Sequence, residues 1–93
     1  MAAIRAARPT VPGWTHAGRA IRRAYAFADF AQAMRFVNAV ARLAEKAGHH
    51  PDIDIRWNRV VLTLSTHDAG GLTEKDFGLA RQCDRRAARS PGN

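Results

Sequence analysis

The feature that most constrains the fold is a change of hydrophobic period at the stretch Gly48-His49-His50-Pro51. Before it, from Asp29 onward, apolar residues recur at the spacing of a helix with one broad buried face. After it, residues 52–57 alternate strictly between charged and apolar side chains, which is typical of a half-exposed strand. Gly48 suits the end of a helix and Pro51 cannot continue one. The chain therefore passes from helix to strand here, with two histidines at the junction.

Two further strands are predicted from period-two patterns. One covers Arg19–Phe27, where apolar residues fall on alternate positions, and the other covers Val60–Thr66. The second is close enough in sequence to residues 52–57 to pair with them as a hairpin that turns at Asn58-Arg59.

Both predicted helices carry start signals. Asp29 is a good N-cap, and Gln32 three residues later completes a pattern that resembles a capping box. Thr73 caps a second helix, and Asp76 three residues later fits a capping box there as well. No repeated parallel crossover is present, so the order of elements predicts an α+β fold with the helices packed on one face of an antiparallel sheet.

Length and charge restrict the class of protein further. The 93 residues are enough for one domain, which we place at residues 13–87, after a loose arm (1–12) and before a frayed tail (88–93). The net charge of +7 comes from the ends, because residues 24–80 hold six basic and seven acidic side chains. This distribution makes nucleic acid an unlikely partner.

Targeting and redox signals are sparse. No apolar run approaches the length of a membrane span, and the first residues lack the apolar core of a secretory signal. The single cysteine, Cys83, excludes an intrachain disulfide and fits a reducing compartment. We therefore expect a cytoplasmic protein that does not enter membranes.

The histidines are the candidates for chemistry. A bend at the junction can aim His49 and His50 into one cleft, and His67, which follows the Val60–Thr66 strand, can join them. An imidazole transfers protons near neutral pH. Glu45, one helical turn before His49, is the expected hydrogen-bond partner of that ring. Two alternatives remain open: the doublet is an exposed polar loop, or the three histidines bind zinc.

Together these positions resemble a known signature. Three residues separate Glu45 from His49-His50-Pro51, and five more separate Pro51 from Trp57. Nine residues then precede His67, and a further eight precede Asp76. The set resembles the signature of the pterin-4a-carbinolamine dehydratases, and the surrounding sequence is similar to that family over about residues 13–83.

The resemblance implies a specific fold and reaction. The fold is an antiparallel four-stranded sheet with helices on one side, and subunits associate into dimers or tetramers. The reaction is the dehydration of 4a-hydroxytetrahydropterin to quinonoid dihydropterin, which requires neither a metal nor a cofactor. The substrate is the product of aromatic amino acid hydroxylases, so a link to such an enzyme is implied.

The resemblance also assigns roles to individual residues. His49 and His67 would be the acid/base pair, and His50 would orient the pterin and assist. Glu45 would hold His49. The remaining substrate-binding candidates are Pro51, Trp57, Ser65, Thr66 and Asp76.

Two departures from the family pattern stand out. The family's N-terminal helix before Gly13-Trp14 is replaced by a short stretch without an amphipathic repeat, and Gly48 stands where the family often has Asn or Asp.

A different class of function also stays open. Relatives in animals act as dimerisation partners of a transcription factor, so this chain is alternatively a non-enzymatic interaction module, with its arginine-rich ends as the feature to test.

Overall fold

The computed structural model describes residues 7–89 of the chain. Its strands are β1 (Thr15–Ala17), β2 (Ala20–Ala26), β3 (Asp52–Arg56) and β4 (Arg59–Leu64). Its α-helices are α1 (Phe30–Ala47) and α2 (Glu74–Ala88), and short 3-10 turns lie at Arg8–Thr10 and His67–Ala69. The predicted α+β architecture is confirmed.

The sheet is antiparallel throughout, with strand order β1-β2-β4-β3. Strand β4 lies in the middle of the hydrophobic core, and its residues Val60, Leu62 and Leu64 are fully buried on the face that carries the helices. Phe36 from α1 and Phe77 from α2 belong to the same core. The alternation predicted for Val60–Thr66 is therefore confirmed as far as Leu64, where β4 ends.

Helix α1 begins and ends where the sequence indicates. The Asp29 side chain accepts the N–H of Gln32 at 2.8 Å. Among the residues described, the Gln32 Oε1 atom is buried without a hydrogen-bond partner, so only half of the predicted capping box forms. At the other end Gly48 adopts the left-handed conformation (φ 63°), and its N–H is bonded to the carbonyls of Ala44 and Glu45.

The hairpin turn differs by one residue from the prediction. The turn comprises Trp57 and Asn58, and Arg59 is the first residue of β4, paired with Arg56. Trp57 has a positive φ of 55° and is 72% exposed, so it does not continue the inward face of β3. A two-residue hairpin requires left-handed backbone, and the alternation of side chains could not show where that residue falls.

The N-terminal segment joins the core earlier than expected. Within the predicted loose arm, Val11 is only 2% exposed and packs in the core, while residues 1–6 lie outside the described range. The strand predicted from Arg19 begins at Ala20, and the short strand β1 precedes it. At the other end, α2 continues to Ala88, and residues 90–93 of the predicted tail lie outside the description.

A carboxylate on α2 fastens that helix to the sheet. Asp84 accepts hydrogen bonds from the Trp14 indole (3.0 Å), the Arg23 guanidinium (3.0 Å) and the Tyr25 hydroxyl (2.5 Å). Burial, followed by the hydrogen bond to Asp84, raises the pKa of Tyr25 well above its ordinary value. Burial also raises the pKa of the neighbouring Cys83 thiol to about 12.

Candidate functional site

The helix-to-strand junction sends its two histidines in different directions. The left-handed Gly48 reverses the chain at the end of α1, and the His49 N–H is bonded to the Ala44 carbonyl at 3.1 Å. The His49 side chain turns inward and is 11% exposed, whereas the His50 side chain is 62% exposed. The junction is therefore not a uniformly exposed polar loop, because one ring is held inside the molecule.

The inward ring is held by the first turn of α2. His49 Nε2 lies 2.6 Å from Asp76 Oδ1, and the Asp76 side chain is completely buried. Its second oxygen, Oδ2, accepts the Thr66 hydroxyl at 2.7 Å and the Thr73 N–H at 2.9 Å. A buried carboxylate requires such bonds, since without them its transfer from water is costly. Asp76 thus completes the predicted capping box with Thr73 and also binds His49.

The prediction that Glu45 holds His49 is wrong. Glu45 Oε2 contacts His50 Nε2 instead, at the exposed end of α1. The reason is geometric: Glu45 faces solvent on the last turn of α1, and the reversal at Gly48 carries His49 away from that face. The two adjacent histidines therefore have separate carboxylate partners, Asp76 inside and Glu45 outside.

The third histidine follows the end of β4. Thr66 and Gly71 form an isolated antiparallel bridge, with both N–H groups bonded to the opposite carbonyl at 3.0 and 3.2 Å. The intervening turn contains His67 and ends at Gly70, which adopts the left-handed conformation. The bridge closes the loop that carries His67. Thr66, the residue before His67, is bonded to Asp76 through its hydroxyl. Asp76 therefore connects the two loops that carry His49 and His67.

A cavity of about 240 Å³ lies beside His67. Ser65 and Thr66, two of the predicted substrate-binding residues, line it, and Arg19 lines it from the β1–β2 turn. His49 and His50 are not part of its lining. Arg19 was not among the predicted site residues. The available sequence signal is the Gly18-Arg19 pair, because glycine is typical of a two-residue hairpin, and Gly18 has positive φ in the structure.

Two other predicted residues lie at opposite ends of the hairpin. Pro51 is half-buried between His50 and the start of β3, next to the junction. Trp57 lies beyond the far end of β3, and the strand from Asp52 to Arg56 spans about 13 Å at the usual rise per residue. Within this chain Trp57 is therefore not brought to the histidines, contrary to the role inferred from the resemblance.

The described residues do not form a metal centre. Within residues 7–89, no group of three or more His, Cys, Asp or Glu side chains is arranged to hold a metal ion. In the same range, neither helix is long and apolar enough to span a membrane.

Comparisons with known proteins point to one family. The family model described as pterin 4 alpha carbinolamine dehydratase matches residues 1–86. A protein of Roseiflexus sp. (strain RS-1) is 61% identical over 72 residues, which are 77% of each chain, and one of Nocardia farcinica is 53% identical over 81 residues, 87% of this chain and 85% of the relative. Both have provisional names as pterin-4-alpha-carbinolamine dehydratases.

Solved structures show the same similarity. A transcriptional coactivator/pterin dehydratase from Brucella melitensis superposes with a TM-score of 0.86 and 37% identity, covering 90% of this chain and 92% of the other. A pterin dehydratase-like protein described as a RuBisCO assembly factor of the alpha-carboxysome gives a TM-score of 0.66 and 28% identity, covering 80% and 86%. The chain therefore belongs to the pterin 4 alpha carbinolamine dehydratase family.

Proposed function

We propose that this protein is a hydro-lyase that dehydrates 4a-hydroxytetrahydropterin to quinonoid dihydropterin and so supports the recycling of tetrahydropterins. In this reaction the C4a–O bond breaks, the hydroxyl leaves with a proton as water, and the proton on N5 is lost as the C4a=N5 bond forms. The reaction needs one group that donates a proton and one that accepts a proton.

The observation that carries the proposal is the contact of His49 with the buried carboxylate of Asp76. When Nε2–H donates to this carboxylate, Nδ1 is the nitrogen left to exchange a proton with a substrate. A fixed negative charge beside the ring stabilises the imidazolium that forms, which favours His49 as the acceptor of the N5 proton.

His67 is the proposed proton donor to the leaving hydroxyl. It is exposed beside the cavity that Ser65 and Thr66 line, so a substrate there lies within its reach. His50, paired with Glu45 at the surface, is assigned to orienting the pterin. His49 does not line this cavity, but it is bonded to Asp76 Oδ1, while Thr66, directly before His67, is bonded to Asp76 Oδ2. This common carboxylate supports the action of both histidines on one substrate.

The test is the decay of chemically generated 4a-hydroxytetrahydropterin, followed by absorbance with and without the protein. Wild-type protein should accelerate the decay, and His49→Ala and His67→Ala should each lower kcat by about 100-fold, the lower part of the range for general acid–base groups. His16→Ala, which removes a histidine of β1 outside the site, serves as the control. A folded wild-type protein that leaves the decay rate unchanged excludes the dehydratase.

We further propose that the enzyme works in the cytoplasm as a homodimer or homotetramer alongside an aromatic amino acid hydroxylase. Strand β3 is an outer strand of the sheet, and its inward residues Ile53 and Ile55 remain 37% and 38% exposed. An exposed edge with apolar side chains favours pairing with a second copy. Light scattering should show an oligomer that Ile55→Lys shifts toward monomer and Arg22→Lys does not.

The alternative function is a non-enzymatic interaction module, such as a dimerisation or transcriptional partner. The same apolar edge, together with exposed Phe30 and Trp57, favours it, and the Brucella relative is described as a transcriptional coactivator as well as a dehydratase. Two results together would support this alternative over the enzyme. The wild-type protein would bind a partner without catalysing dehydration, and Ile55→Lys would abolish that binding.

A further inference from the structure

We propose that Arg19 recognises an anionic substituent on the pterin, so that the preferred ligands carry a phosphate or carboxylate beyond the ring. This inference rests on the proposed function for the identity of the ring and adds the charge of the side chain. It begins from the position of Arg19 at the cavity beside His67, which the Ser65-Thr66 segment also lines.

The backbone fixes the place of Arg19. Ala17 pairs with Ala20, which leaves Gly18 and Arg19 as a two-residue turn, and Gly18 has the positive φ of 61° that such a turn requires. The stem of Arg19 lies beside Gly71, since a Cβ added to Gly71 would stand 3.9 Å from the Arg19 Cβ. Gly71 is bridged to Thr66, so the turn lies against a wall of the cavity that backbone hydrogen bonds hold in place.

Among the residues that the structure describes, the guanidinium of Arg19 has no polar partner. Within residues 7–89, its side chain takes part in neither a hydrogen bond nor an ion pair, unlike Arg23, Arg56 and Arg81. Among the same residues, no carboxylate lines the cavity. A full positive charge without an acidic neighbour favours an anion, and a guanidinium matches phosphate and carboxylate oxygens with two parallel bonds.

The pterin ring alone does not account for this charge. The ring of the proposed substrate is neutral, and the hydroxyl and backbone groups around Ser65 and Thr66 can serve its polar edge. The cavity, about 240 Å³, is small for a ligand site, so a substituent beyond the bicyclic ring extends to the rim. Arg19 is exposed there and is the cation that a charged substituent would meet.

The test compares dissociation constants for stable 7,8-dihydropterins: the neutral 6-hydroxymethyl compound, its phosphate ester, and 7,8-dihydrofolate as the carboxylate form. The variants are Arg19→Gln, Arg19→Lys and the matched control Arg22→Gln on the open face of the sheet. Wild type should bind at least one anionic compound about tenfold more tightly than the neutral one, and the preferred compound distinguishes phosphate from carboxylate. Arg19→Gln should abolish the preference, Arg19→Lys should keep part of it, and Arg22→Gln should keep all of it.

Equal binding of neutral and anionic compounds by wild type would overturn the inference. An equal loss of the anionic preference in Arg19→Gln and Arg22→Gln would also overturn it, as would the absence of any pterin binding. Because these measurements need no turnover, the two proposals fail separately. Charge-dependent binding without dehydration would remove the proposed reaction and keep the role of Arg19. Dehydration with no dependence on substituent charge would keep the reaction and remove that role.

Discussion

Asp76 Oδ1 lies 2.6 Å from His49 Nε2, while the other oxygen of the same carboxylate accepts the hydroxyl of Thr66, the residue directly before His67. One buried side chain on the first turn of α2 thus joins the helix-to-strand junction to the loop after β4. The two proposed proton-transfer groups are positioned by a single element rather than by two independent loops.

Replacing Asp76 by Asn should alter the tautomer of His49 without unfolding the protein. The Asn oxygen can still accept the Thr73 N–H, so the amide NH2 faces His49 Nε2, which must then accept. The ring proton moves to Nδ1, where it blocks uptake of a substrate proton. We expect a fall in kcat of about 100-fold with little change in KM.

Nitrogen NMR of the histidine rings reports the tautomer directly, alongside the dehydration assay. Asp54→Asn, an exposed carboxamide substitution on β3, is the matched control and should behave as wild type. A kcat within about threefold of wild type in Asp76→Asn, with the His49 tautomer changed, would show that His49 is not the proton acceptor.

Glu45 should contribute far less than Asp76 to stability. Its contact with His50 joins two exposed side chains, and such pairs contribute about 0–1 kcal/mol. Glu45→Gln should therefore lower the free energy of unfolding by less than about 1 kcal/mol. Asp76→Ala removes the acceptor of the half-buried Thr66 hydroxyl and Thr73 N–H and should cost about 3 kcal/mol. Urea denaturation measures both, and equal losses would contradict the assignment of partners.

Asp84 should be the main polar anchor of α2. Asp84→Ala removes the common acceptor of Trp14, Arg23 and Tyr25, so we expect a loss of about 3 kcal/mol in the free energy of unfolding. Asp84→Asn keeps one acceptor oxygen and should lose less. Asp52→Ala, an exposed carboxylate on β3, is the control, and a loss as large as that of Asp84→Ala would show that the three bonds carry no special weight.

The parts of the fold that could be predicted are those set by local chemistry. Helix α1 follows from its N-cap Asp29, its apolar stripe and Gly48, and β4 follows from strict alternation. Strand β1 was missed because three residues are too short for a periodic signal. The turn was misplaced because the conformation of Trp57 depends on strand register and not on side-chain type.

The contacts within the candidate site could not be predicted from the sequence. The spacing from Glu45 to Asp76 places the histidines and carboxylates in the same part of the chain, but only the direction of the chain after Gly48 decides which histidine meets which carboxylate. The Asp84 anchor joins residues 59 to 70 positions apart, and nothing in the local pattern marks them as neighbours. Long-range polar contacts of this kind depend on packing that single-sequence patterns do not contain.

The reactivity of Cys83 should show whether the core is folded, and its ionisation should lower the stability of the protein at alkaline pH. The thiol is fully buried and its pKa rises from 9.0 to about 12, so it should not react with thiol reagents at about pH 8 until the protein unfolds, when its single thiol becomes titratable. Since the folded state keeps this proton longer than the unfolded state, unfolding releases a proton above pH 9.0, and stability falls as the pH rises from 9.0 toward 12. The raised pKa of Tyr25 acts in the same direction at higher pH. Urea midpoints measured across this range should decline less steeply in Cys83→Ala than in wild type, and identical slopes would show that the thiol ionises as readily in the folded protein as in the unfolded chain.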